Sequence, residues 1–163
     1  MATLKDTVHE HHAQLKPGVA ALLATAQVVG TLPCEELRPR VLESRAFLTT
    51  SLLPHMEAAE KAVWPRLESA LSDVGALAPL RREHEEVRHL VAELDRLCLA
   101  HREGLYRRGE ALALRRVLYR LHAIVRVHLD EEEMLTALLA HSIGSDEADE
   151  IAADLAHAVA VPL

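Results

Sequence analysis

Apolar residues recur along this chain at steps of three and four, and five stretches carry that helical pattern. The first, about residues 3 to 29, places Leu4, Val8, Leu15, Val19, Leu22 and Ala26 on one face and ends at Gly30, Leu32 and Pro33. Pro17 and Gly18 interrupt it, so a kink or a division is expected there. The second, from about Pro33 to Trp64, sets Leu37, Val41, Leu48, Leu52, His55, Ala59 and Ala62 on its stripe. Pro39 suits an early turn. Pro54 should bend the helix beside His55, and Pro65 is expected to break it, with Arg66 to Leu71 adding a last turn or two. The third, about 77 to 104, aligns Leu80, His84, Val87, Val91, Leu94 and Cys98. The fourth, about 109 to 141, aligns Leu114, Val117, Leu121, Val125, His128, Glu132, Leu135 and Leu139, and the link Arg107-Arg108-Gly109 is short enough to make it antiparallel to the third. After Gly144 and Ser145, a short helix over about 146 to 159 is expected to pack on the others as a lid or an interface element.

Four long helices on short links predict an all-α, up-down-up-down four-helix bundle, with a core over 3–141 in one domain spanning 1–163. Composition agrees, since aromatics are 2% and Gly and Pro number 6 and 7 in a chain of 163 residues, which disfavours strands. A net charge of −7 with both signs interleaved excludes nucleic acid and an anionic membrane as main partners. Cys34 and Cys98 lack any CxxC or scaffold spacing and predict free buried thiols in a reducing, cytoplasmic setting. The apolar run Val19 to Val29 is too short to span a bilayer and has no basic flank, so no signal peptide is expected. There is no Ser/His/Asp or Cys/His arrangement and no glycine-rich phosphate loop, which sets aside hydrolase and nucleotide-binding readings.

Eleven histidines change the picture, because several fall on the buried stripes. His128 and Glu132, four apart, project from one face a turn apart and can grip the same ion; imidazole with carboxylate suits a first-row transition metal. His11 and His12 lie equally far, about 50°, from the centre of the first apolar face at about 100° per residue. An internal repeat decides between them. His12 is followed by Leu15, Val19 and Leu22, and His84 by Val87, Val91 and Leu94 at the same offsets; His55 comes 43 residues after His12, and His128 44 after His84. The chain thus reads as two helical hairpins, each offering one inward histidine per helix: His12, His55, His84 and His128. A shared ion would satisfy several buried ring nitrogens that otherwise cost about 1–3 kcal/mol each.

These residues resemble the haemerythrin-like, HHE cation-binding family, whose pattern is His on helix one, HxxxE on helix two, His on helix three and HxxxE on helix four. The resemblance covers residues 8 to 140. Its most specific pieces are Phe47 to Pro65, with Leu52-Leu53-Pro54-His55, Glu60 and Trp64-Pro65, and Leu118 to Leu139, with His122, His128 and Glu131-Glu132-Glu133. It implies iron bound by His12, His55, His84, His128 and Glu132, and a role in binding dioxygen, sensing oxygen or iron, or handling peroxide. An apolar wall of Leu52, Val87, Val91, Val125 and Leu135 is expected around it.

One position departs from the family. Four residues after His55, where a bridging glutamate belongs, stands Ala59; Glu60 is about 140° round the helix from His55 and faces solvent or a neighbouring helix edge unless unwinding at Pro54 swings it inward. Three outcomes stay open: two irons bridged by Glu132 and solvent-derived oxygen, one metal on a subset of the ligands, or a metal-free bundle serving as an interaction module. Of the other candidates, His122 is expected at a boundary, or as a partner of a ligand carboxylate. His9 and His89 are expected in solvent, and His101 lies about 25 Å along the helix from His84, too far to share an ion. His141 and His157 sit near helix ends, Tyr106 in a link and Tyr119 off the stripe. Glu131 and Glu133, turned about 100° to either side of Glu132, read as a solvated acidic run.

Overall fold

The computed structural model describes residues 3–71, 75–100 and 108–160, and among them every regular element is helical. Helix α1 (Leu4–Val28) starts on a capping box in which the Thr3 hydroxyl accepts from the Asp6 backbone N–H and the Asp6 carboxylate accepts from that of Thr3. It ends before Gly30, whose φ of 87° turns the chain. The second arm is a run of α2 (Cys34–Phe47), a π-helical turn (Leu48–Leu52), α3 (Leu53–Ala58), a second π-helical turn (Ala59–Val63) and α4 (Trp64–Leu71). Then come α5 (Ala78–Ala100), α6 (Arg108–Ser142) and α7 (Ser145–Ala160). The 101–107 segment that holds His101, Tyr106 and part of the expected link lies outside the described residues, as does the loop over 72–74, and nothing is described of the His157 side chain.

Two expectations about proline are corrected. α1 is not divided at Pro17, because its ring lies on the exposed face and the carbonyl it frees, that of exposed Ala13, can bond to water. Gly18 beside it allows a close approach: a Cβ there would lie 2.2 Å from the Phe47 ring. Nor does Pro65 break the second arm. Each π turn closes just before a proline, with Leu53 N–H donating to the Leu48 carbonyl ahead of Pro54 and Trp64 N–H donating to the Ala59 carbonyl ahead of Pro65. A proline ring normally strikes the carbonyl four residues back, and a wider turn draws that carbonyl aside, so the helix absorbs both prolines.

α6 packs against α1 and α5, α2 packs against α1 and α5, and α7 lies across α1, α3 and the second π turn. The core is split into two apolar clusters. One gathers Leu15, Leu22, Leu52, Met56, Val87, Leu94, Val125 and Leu129; the other gathers Leu4, Val8, Ala59, Trp64, Leu80, Leu139 and, from α7, Ile151 and Leu155. On α1 and α5 the change of cluster falls across a histidine, Val8 to Leu15 across His12 and Leu80 to Val87 across His84, and on α6 it falls across Glu132, from Leu129 to Leu139. A polar layer is therefore sandwiched between two apolar ones. α7 closes the bundle on the Trp64 side, held at its edge by Arg66 beside Glu150 and Asp154 at 3.5 and 3.4 Å.

Candidate metal centre

The polar layer consists of His12 on α1, His55 on α3, His84 on α5, and His128 with Glu132 on α6, each no more than 3% exposed. The helical repeat that faces leucines and valines inward carries these side chains with it. His12 Nε2 and His55 Nε2 each lie 3.1 Å from Glu132 Oε2, and donor atoms of these three residues all fall within 4.8 Å of one another. His128 Nε2 is 3.9 Å from the same oxygen and 2.9 Å from His84 Nε2. All five residues expected from the sequence are thus brought together, with His84 joining through His128. Two donors about 2.1 Å from one ion at a right angle lie about 3.0 Å apart, so these spacings fit a transition-metal ion.

The outer ring nitrogens fix the orientation. His84 Nδ1 is 2.6 Å from Glu60 Oε1, His128 Nδ1 is 2.9 Å from Glu83 Oε2, and His12 Nδ1 is 3.2 Å from Glu133 Oε1. A carboxylate accepts only, so each Nδ1 carries the proton it donates. His84 and His128 then face each other with bare Nε2 lone pairs. Burial, with His128 adding to it, pushes His84 down to about 4, and burial likewise lowers His128, so both rings are neutral near pH 7. Two lone pairs 2.9 Å apart repel unless a cation lies between them. Carboxylate, histidine and open Nε2 in series is the arrangement that orients metal-binding imidazoles.

Burial alone would raise the Glu132 carboxyl, but hydrogen bonds from His12 and His55 hold it well below the ordinary carboxylate range. It is an anion at the centre of the layer. Glu60 behaves likewise: partial burial raises it, while His84 and Arg88, the latter at 2.6 Å, hold it below its ordinary value.

The internal repeat extends to these outer groups. Glu60 follows His55 by five residues and Glu133 follows His128 by five; Glu60 serves His84 and Glu133 serves His12, each on the first helix of the other half. Glu83 precedes His84 by one residue and serves His128; its counterpart before His12 is His11, whose ring stacks on His55 with centroids 5.3 Å apart and planes 17° apart. The two halves therefore differ in two places, Ala59 against Glu132 and His11 against Glu83. The second explains why His55 Nδ1 is a buried nitrogen with no hydrogen-bond partner. Burial, aided by His55, pushes His11 down to about 4, so it stacks as a neutral ring.

Glu133 is corrected from solvated to half-buried and paired: beside His12 Nδ1 it also meets His9, at 3.5 Å, and Lys16, at 3.7 Å. Glu60 points to a neighbouring helix edge, as its place on the wheel requires, and that edge is the His84 ring. Glu83 was not singled out by the sequence reading, although its place one step from an inward histidine marks it. Ala59 is fully buried, His122 is a boundary residue with Nδ1 3.1 Å from the Val19 carbonyl, and His89 is exposed. Leu52, Val87, Val91 and Val125 are buried and Leu135 half-buried.

Facing helices that bring three imidazole Nε2 atoms to one buried carboxylate, with a fourth imidazole against the third, define a helical-bundle protein with a candidate metal site in its core. The chain belongs to the hemerythrin HHE cation-binding domain family, whose model matches residues 3–140; α7 lies beyond the match. No curated protein and no solved structure matches it. Among the described residues no helix is long and apolar enough to cross a membrane.

Proposed function

We propose that this chain is a single up-down-up-down four-helix domain, 1–163, that binds non-haem iron through His12, His55, His84, His128 and Glu132 and uses it to bind or sense dioxygen or a related small oxidant in the cytoplasm. The observation that carries the reading is the pair of bare Nε2 atoms of His84 and His128, 2.9 Å apart and each backed by a carboxylate on Nδ1. Membership of a cation-binding family supports it.

Charge favours two cations over one. Glu132 touches three of the imidazoles, while Glu60, Glu83 and Glu133 surround the layer, so four carboxylates face two dications. The negative charge that Ala59 removes from the inner layer is supplied one residue later by Glu60, through His84. His12 and His55 would hold one ion and His84 and His128 the other, with Glu132 supplying the carboxylate that the layer shares. Iron would supply a redox-active Lewis acid to which a small oxidant binds. The chain's own part is to hold His84 and His128 in the tautomer that leaves Nε2 bare, to keep an anion in the layer, and to exclude bulk water with Leu52, Val87, Val91 and Val125 on one side and Trp64 on the other.

Thermal unfolding under anaerobic conditions tests the proposal. A ligand that binds only the folded chain at 100 times its Kd raises stability by about 2.7 kcal/mol. Ferrous iron should raise Tm by several degrees, a chelator should reverse the shift, and Glu132→Ala should abolish it. A wild-type Tm indifferent to iron and to chelator would refute metal binding.

A further inference from the structure

The outward face of α6 carries a pattern the metal centre does not use. Of the seven large hydrophobic side chains exposed among the described residues, five lie on this helix: Leu112 (60% exposed), Tyr119 (38%), Val127 (42%), Met134 (59%) and Leu138 (53%). At about 100° per residue, Leu112, Arg116, Tyr119, Ala123, Val127, Asp130 and Met134 fall within about 80° of arc. All seven are exposed. An apolar stripe of this length on one helix marks an interaction surface.

The stripe is a palindrome about Ala123. Its members stand at −11, −7, −4, 0, +4, +7 and +11 from that residue, and reversal exchanges like with complementary: Leu112 with Met134, Tyr119 with Val127, Arg116 with Asp130. Charge follows the same axis. Arg115, Arg116 and Arg120 lie before Ala123, whereas Asp130 to Glu133 lie after it, where Arg126 is the one Lys or Arg on the helix. A two-fold interface brings the same patch of each copy together in reversed direction, so residue i meets residue j and j meets i. A helix that is self-complementary under reversal meets that condition, and its small central residue lets two backbones approach.

We propose that a second copy of this chain packs antiparallel on the outward face of α6, with Ala123 at the two-fold axis, Tyr119 against Val127 of the other copy on either side, and Arg116–Asp130 ion pairs flanking them. Reversed helices also set basic halves against acidic halves and oppose the helix dipoles, which a parallel pair would not. The proposal does not depend on what the metal centre holds.

Sedimentation velocity on the full chain, loaded from about 1 to 500 µM, reads the association constant. The wild type should dimerise. Ala123→Glu should weaken association at least about 100-fold, since it places two like charges on the axis. Arg116→Asp or Asp130→Arg alone should weaken it about tenfold or more, and the double exchange R116D/D130R should restore it to within about threefold. All three positions are exposed, and far-UV circular dichroism with melting checks that the fold is kept. A wild type that stays monomeric throughout the range would overturn the proposal and leave the face to a different partner. Dimers indifferent to Ala123→Glu would overturn it in favour of another surface, and single reversals that the double exchange fails to rescue would overturn the antiparallel register.

Discussion

Glu60→Gln isolates what a negative charge outside the metal layer does for the ligand it backs. The Glu60 carboxylate accepts from His84 Nδ1 and from an Arg88 guanidinium N–H, both at 2.6 Å, and its side chain is 28% exposed. Glutamine keeps an oxygen that can accept both bonds and removes only the charge. Loss of such a partner typically lowers metal affinity 10–100-fold, about 1.4–2.7 kcal/mol. Because the acceptor survives and solvent screens part of the charge, Glu60→Gln should fall near tenfold. Glu60→Ala, which also unmakes both bonds and lets the His84 ring turn, should fall nearer a hundredfold. Glu133→Gln should cost less than Glu60→Gln, since that carboxylate is 3.2 Å from His12 Nδ1 and already shared with His9 and Lys16. The assay is anaerobic competition for ferrous iron against a chromogenic chelator, with Glu57→Gln, a half-exposed acid that pairs with Lys61, as the control. If Glu60→Gln binds iron as the wild type does, or no worse than Glu57→Gln, the charge argument is wrong.

Four further outcomes follow from the same geometry. His11→Glu restores at His55 the carboxylate that Glu83 provides at His128, so it should tighten iron binding by up to about tenfold in the same competition; weaker binding would count against the pseudo-symmetry. Trp64, the only tryptophan, stacks on His84 with centroids 4.4 Å apart, so its emission should quench when ferrous iron or cobalt is added and stay unchanged in His84→Ala. In the metal-free protein, His84 is pushed down to about 4 from an ordinary 6.5 and Glu132 is held below its ordinary 4.5, so both lose stability to acid. Stability to denaturant should be full above about pH 6.5 and fall through pH 6.5 to 4 as the unfolded chain takes up protons the folded one resists; a flat profile over that window would contradict it. Gly18→Ala drives a methyl into the Phe47 ring, 2.2 Å away, and should cost about 1–3 kcal/mol by overpacking, measured by urea unfolding.

How far the sequence speaks is clearest at the residues flanking the centre. The five inner donors lie on the same 3.6-residue stripe as the leucines and valines of the core, so periodicity and the repeat reach them together, and Ala59 with them. Glu133 and Glu83 sit one step off that stripe. A helical wheel describes a side chain relative to its own axis and is silent about what the adjacent helix presents, here His12 Nδ1 and His128 Nδ1. Extending the repeat beyond the histidines to the offsets −1 and +5 is the signal that finds them. Pro65 misleads for a different reason: the rule that proline ends a helix assumes four-residue hydrogen bonding, and the turn from Ala59 to Val63 is wider.

The central claim is that four histidines and one glutamate hold iron, and elemental analysis of protein purified from iron-replete cells tests it most directly. The account predicts iron approaching two per chain in the wild type, and loss of most of it in His128→Ala and in Glu132→Ala, with the helical fold kept. Wild-type protein that is folded and free of iron, or variants that retain the wild-type content, would contradict it.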